Sequence, residues 1–261
     1  MESHNSCVAS TFSTTKPYAP IGAPRLFLAN HAHICRVRRH WIILDITRDN
    51  YYCIPARDFD SLGPLIHGWP SVAPVTASAS GYTSDSASEV VFDLIAKGVL
   101  TEDPTSARKL SPSSIPAAVS VLETDNLAIP HRCGPSQVAA FVYSCAIADR
   151  RLCARSFSSI IKAVEARRVE QTPRAPNTAL TTIGSLITAF NGLRLWYPRA
   201  YLCLFDSLAL LEFLARHRIY PRWTFGVMAD PFFAHCWLQD GSVVLNDVMS
   251  RVAGYTPIMS V

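Results

Sequence analysis

Residues 200–217 read as a helix with apolar side chains on nearly every face. A helix without a polar stripe cannot lie on a surface and has to be covered on all sides. The neighbouring sequence supplies the cover. Upstream, residues 136–153, 157–168 and 180–193 carry helical periodicity, with Pro173 and Pro176 breaking the chain between the second and the third. Downstream, residues 223–228, 232–239 and 243–246 are strand-like, and Asp240-Gly241 between two apolar runs is hairpin chemistry. Helices followed by strands predict an α+β domain over residues 136–261.

The N-terminal part has a different texture. Residues 1–23 are rich in Ser, Thr and Pro without periodicity, which predicts a disordered N-terminus. Residues 24–103 predict a small compact unit. There, His40-Trp41-Ile42-Ile43-Leu44-Asp45 and Tyr51-Tyr52-Cys53-Ile54 flank a polar Thr-Arg-Asp-Asn stretch, a hairpin signal. Residues 58–67 are expected to form a short helix. So are residues 88–97, with Val91, Leu94 and Ile95 on one face and Gly98 as the stop. Residues 104–135, punctuated by prolines, predict a linker.

Composition narrows the function classes. With 49% hydrophobic and 17% charged residues the chain can bury a core. A net charge of +4 is too weak, and its basic residues too scattered, to argue for nucleic acid. No apolar run reaches the ~18 residues of a membrane helix, and the N-terminus has no signal-peptide pattern. The eight cysteines include no C-x-x-C pair, so no metal site is expected and a reducing cytoplasm with free thiols is the consistent setting.

Three residues carry chemistry together. Cys203 opens the apolar helix, where the positive end of the macrodipole favours thiolate, the nucleophilic form. His235 lies in the strand-like run Phe233-Ala234-His235-Cys236-Trp237, sharing a face with Phe233 and Trp237. Asp247 closes the next run. His235 and Asp247 fall on the two arms of one hairpin, where a carboxylate can orient an imidazole. Asp206, three residues after Cys203, is expected near the same helix face, where a carboxylate opposes thiolate formation. Cys236 alternates away from His235 and is expected in the core. The Cys203 backbone N–H is the expected oxyanion donor, and Trp196 is close enough in the chain to be considered as a second.

The segments Cys203-Leu204-Phe205-Asp206-Ser207-Leu208, Pro231-Phe232-Phe233-Ala234-His235-Cys236-Trp237 and Val244-Leu245-Asn246-Asp247 resemble, in order, those of lasso-peptide B proteins, leader peptidases of transglutaminase-like (papain-like) fold. Tyr255-Thr256-Pro257-Ile258 resembles their C-terminal end. Asp206 departs from the Arg that many members carry. The resemblance implies a cysteine protease with Cys203 as nucleophile, His235 as base and acid, and Asp247 as its orienter. It cleaves the leader from a lasso precursor through a thioester and uses no cofactor of its own. The implied partner is an asparagine-synthetase-like cyclase, which consumes ATP to close the macrolactam. The N-terminal unit resembles the winged-helix-like recognition element of ribosomal peptide maturation. That implies a leader bound as an added strand along Tyr51, Tyr52, Cys53 and Ile54, with Val91, Leu94 and Ile95 lining the groove. Two alternatives share the sequence: a thiol acyltransferase on the same fold, and a non-catalytic scaffold that only presents the leader.

Overall fold

The computed structural model describes residues 25–59, 66–69, 84–108, 115–122, 133–170 and 180–261. Residues 1–23 and most of residues 58–67 lie outside them, so the N-terminal expectation and most of the short-helix expectation fall on segments not described. The chain divides into two compact units, residues 1–114 with 227–233, and residues 115–226 with 234–261.

In the first unit, β1 (Leu26–Leu28), β2 (Ala32–Val37), β3 (His40–Asp45) and β4 (Asn50–Pro55) precede α1 (Ala56–Phe59), β5 (Ile66–His67), α2 (Ser84–Ala96) and β6 (Leu100–Thr101). Ile66 and His67 are thus strand, not the end of a helix. β2, β3 and β4 form an antiparallel sheet in that order. β3 is central, and its run of apolar side chains is buried almost throughout, as a strand with neighbours on both sides requires. Asp45, at its end, is buried and shapes the turn: Oδ1 accepts the N–H of Thr47 (2.9 Å) and of Arg48 (3.1 Å), and Oδ2 accepts the Arg48 guanidinium (3.0 Å). β5, β1 and β6 make a second small sheet. Helix α2 ends against Gly98, whose φ of +64° is the left-handed conformation a helix stop favours.

The second unit runs β7 (Ser120–Val121), α3 (Pro135–Ala154), α4 (Phe157–Glu170), α5 (Leu180–Arg194), α6 (Cys203–Ala215), β8 (Arg222–Met228), β9 (Phe233–Asp240), β10 (Val243–Val244), α7 (Met249–Val252) and β11 (Thr256–Ser260). Pro135 opens α3, where a missing N–H costs nothing, and the Gln137 carboxamide accepts the Gly134 N–H at 3.2 Å. The strands order β11-β8-β9-β10-β7. β7 comes from the stretch expected to be linker and pairs parallel with β10. β9 and β10 form the expected hairpin, with Gly241 at φ +58° in its turn.

Helix α6 is covered as its composition demands: Phe205, Ser207 to Leu211, Phe213 and Leu214 are all buried. α3 and α5 pack on it, and the rings of Phe141, Phe190 and Phe213 chain across the interface at 5.2 and 5.6 Å. Its one buried acid, Glu212, is matched by Arg151 and by a fork from Arg167 at 3.0 and 3.1 Å. The helix that carries Cys203 is therefore held rigidly by its own core.

Candidate active site

Cys203 is the first residue of α6. At that position the N–H has no intrahelical acceptor and points out of the helix with the positive end of the dipole. No side chain caps the helix at Leu202. Instead the Asp206 carboxylate reaches back one turn, and its Oδ2 accepts the Leu202 N–H at 2.8 Å. Its other oxygen pairs with Nε of Arg194 at 2.5 Å. Arg194 is 3% exposed and spends its remaining donors on the carbonyls of Tyr197, Arg199 and Ala200, at 2.9–3.2 Å. One buried guanidinium thus fixes the loop leading into the nucleophile and neutralises the nearest acid. The expected opposition of Asp206 to the thiolate is corrected here: its charge is paired with Arg194.

His235 stands on β9, between β8 and β10. Its ring stacks with Trp237 (centroids 6.1 Å apart, 29°) and lies 5.2 Å from the Tyr255 ring. This is the aromatic face that alternation along the strand predicts. The strand can seat Trp237 there because residue 226 on β8 is glycine. A Cβ on Gly226 would lie 2.8 Å from Trp237 and 2.9 Å from Tyr255.

Asp247 lies three residues beyond β10, yet the pairing with β9 runs on. The Leu245 N–H donates to the Leu238 carbonyl (2.9 Å), and the Asn246 side-chain oxygen accepts the Leu238 N–H (2.7 Å). This extension sets Asp247 beside His235. Oδ2 contacts the ring at Nε2, while Oδ1 accepts the Val248 N–H (2.7 Å) and the Arg251 guanidinium (3.0 Å). Cys203 and the imidazole line the same pocket and act on each other's protonation. Ser207, buried one turn after Cys203, ties all three carriers together. It donates to the Cys236 carbonyl (3.2 Å) and accepts the Asn246 amide (3.2 Å).

The electrostatics follow the geometry. A hydrogen bond from the Cys236 thiol, with the hydrogen bond and charge of His235 and the Cys236 N–H, outweighs burial and brings the Cys203 thiol from 9.0 down to about 4. Burial works against a charged His235. The Asp247 and Cys203 partners win, raising it from 6.5 to about 9. Burial alone would raise Asp247, but the His235 and Val248 hydrogen bonds hold it below its ordinary value. At neutral pH these directions give a thiolate–imidazolium pair with a carboxylate behind it.

The three residues open on a pocket of about 440 Å³, together with Asn191, Arg194 and Tyr201. Trp196 is 87% exposed and does not line it, so the structure lends no support to Trp196 as an oxyanion donor. Cys236 is buried as expected. Its thiol also interacts with Cys203. Strand alternation cannot show this, because the nucleophile arrives from α6 and not from the sheet.

In the first unit, Tyr51, Tyr52, Cys53 and Ile54 lie on β4, which borders its sheet among the described residues. Tyr51 packs its ring on Phe232 at 5.3 Å. Ile54 and Leu94 belong to the core cluster, Leu94 at 2% exposure, and Tyr52, Val91 and Ile95 pack partly buried against it. Those side chains hold the unit together, whereas Tyr51 and Cys53 face outward in part. Among the described residues, no group of three or more His, Cys, Asp or Glu is placed to hold a metal ion, and no helix is long and apolar enough to cross a membrane.

No curated protein and no solved structure matches the chain. Residues 145–260, which contain Cys203, His235 and Asp247, match the model of the Transglutaminase-like superfamily.

Proposed function

We propose that the chain is a cysteine peptidase that removes the leader from a lasso-peptide precursor. The observation that carries the catalytic part is the Cys203–His235–Asp247 arrangement at one pocket, with the thiol held low and the imidazole held high. The Cys203 thiolate attacks the carbonyl carbon of the scissile peptide bond. The Cys203 N–H, at the start of α6, faces the developing oxyanion. His235, protonated, gives its proton to the departing amine, which is the N-terminus of the core. The leader stays as a thioester on Cys203. His235, now neutral, takes a proton from water as the water attacks, and the leader leaves as a carboxylate. Asp247 keeps the ring aimed through both steps and stabilises its charged form.

The peptide-binding part rests on two features. Among the described residues β4 borders its sheet in the first unit, the position at which a peptide strand adds. Tyr201 and Leu202, exposed beside the nucleophile, offer apolar contact to an extended chain. The proposed partners are the precursor leader and the ATP-using cyclase that takes up the freed amine, and the proposed setting is the cytoplasm.

The test is mass spectrometry of the precursor peptide incubated with the wild type and with Cys203→Ala, each with and without cyclase, and with an added primary amine in a parallel arm. A leader fragment with a free carboxylate from the wild type alone supports the peptidase. A leader–amine adduct in place of the acid would make the chain an acyltransferase. Leader binding without cleavage by either form would leave only a scaffold.

A further inference from the structure

The mechanism leaves one nucleophilic group unused. Cys236 is 3% exposed, follows His235 on β9, and shares the pocket with Cys203. Its sulfur lies 3.9 Å from the hydroxyl of Ser207, one helical turn after Cys203, and its thiol acts on the Cys203 thiol. Both thiols are free. Cys236 helps hold Cys203 as thiolate, but no step of the proposed cleavage uses Cys236 as a nucleophile.

We propose that Cys203 and Cys236 form a redox pair, in which hydrogen peroxide oxidises the nucleophile and Cys236 closes a disulfide on it, switching the site off reversibly. The proposal rests on the Cys203 thiolate of the peptidase reading, and is independent of the substrate.

In the first step the Cys203 thiolate attacks the terminal oxygen of the peroxide. An S–O bond forms and the O–O bond breaks. Sulfur loses two electrons to the peroxide, and the departing hydroxide takes the His235 proton to become water. In the second step the Cys236 sulfur attacks the sulfenic sulfur of Cys203. The S–S bond forms, the S–O bond breaks, and the Cys236 proton leaves with the hydroxyl as water. The sum is two thiols and one peroxide giving one disulfide and two waters. Both cysteines line one pocket, and the sulfurs have to close to about 2.05 Å.

The two thiols differ in the way this division of labour needs. Cys203 opens on a pocket and is held as thiolate, the form a peroxide oxidises. Cys236 is sealed, and burial pushes its thiol well above the ordinary value, so it is shielded from oxidant and alkylator in solution. Cys35 and Cys145 are buried and pushed up to about 12, so neither competes for peroxide. Without a neighbour, a sulfenic acid on Cys203 advances to sulfinic acid and is lost, whereas a disulfide is reducible.

The experiment treats the full chain with dilute hydrogen peroxide, blocks remaining thiols with N-ethylmaleimide, and maps peptides by mass spectrometry. The wild type is expected to yield a linked Cys203–Cys236 peptide and to recover full Cys203 alkylation after dithiothreitol. Cys236→Ala, and Cys236→Ser as the variant that keeps size and polarity, are expected to yield Cys203 sulfinic acid with no recovery, at unchanged melting temperature for at least one of the two. Equal sulfinic acid in wild type and variants, or a cross-link through another cysteine, overturns the pair. The readout is mass, so it stands even if no peptide is cleaved. If Cys203 oxidises no faster than the exposed Cys153, the thiolate itself is absent and the catalytic reading falls separately.

Discussion

The thiolate can be tested without knowing a substrate, provided the pH is chosen with care. The perturbation is His235→Ala, and the readout is the rate of Cys203 alkylation by iodoacetamide between pH 4 and 9.5. With the thiol brought from 9.0 to about 4, the thiolate fraction at pH 7 rises from ~1% to nearly all, a gain of ~100-fold. Nucleophilicity falls with basicity, and a Brønsted slope of ~0.45 over that drop costs ~200-fold. At pH 7 the effects nearly cancel, and Cys203 labels about as fast as an ordinary thiol. At pH 5 the fraction is ~0.9 against ~0.0001, so after the same penalty Cys203 leads by ~50-fold. The wild-type profile is therefore expected to be flat from about pH 5 to 8. His235→Ala removes a hydrogen bond and a charge that favour the thiolate. Its plateau gives way to a rate that climbs with pH. Cys236→Ala is expected to move the profile the same way, since the Cys236 thiol makes the largest contribution to lowering Cys203. A wild-type rate that climbs tenfold per pH unit from 6 to 8, with no plateau, would refute the ion-pair reasoning.

Cleavage by the wild type should rise as pH climbs through about 4, where Cys203 ionises, and fall through about 9, where His235 loses its proton. Asp247→Asn removes the partner that raises His235, so the alkaline limb of kcat/KM should move to lower pH. Gly226→Ala forces a methyl into Trp237 and Tyr255. It should cost ~1–3 kcal/mol by overpacking, read as a lower melting temperature, and an unchanged Tm would show that the strands part easily. Arg194→Met or Asp206→Leu alone should each destabilise by ~3–5 kcal/mol, because each strands the other's charge, and the double variant should lose less than the sum of the two. Ser207→Ala leaves the Cys236 carbonyl and the Asn246 amide without their partner. It should cost ~1–3 kcal/mol in denaturant unfolding, with Ser207→Thr recovering part of it.

Much of the second unit was legible because its signals are local. The four helices stand where periodicity places them, and Asp240-Gly241 makes the hairpin that brings Asp247 to His235. In the first unit, the β3–β4 hairpin follows from two apolar runs around a polar turn. β7 was not legible. A two-residue strand in a proline-rich stretch has no periodicity to read, and it exists because β10 offers an open edge. The face of α2 was read correctly as apolar, but its fate was not determined by pattern. An apolar face serves a core and a ligand groove equally well, and Leu94 went to the core.

Charge near the nucleophile shows the same limit more sharply. From sequence, Asp206 counts against a thiolate, because one acid three residues along a helix is the only charge in view. In the fold it has already been matched by a residue nine positions before Cys203. Arg194 sits at the end of α5 and is almost fully buried, and a guanidinium can be buried there only because Asp206 and three carbonyls receive it. Glu212 repeats the arrangement with Arg151 and Arg167, and Asp247 with Arg251 and His235. Asp206, Glu212 and Asp247 thus each have a cation from a different turn or element. The Cys203 thiol is likewise set by groups brought from another element, the Cys236 thiol first and the His235 imidazole with it.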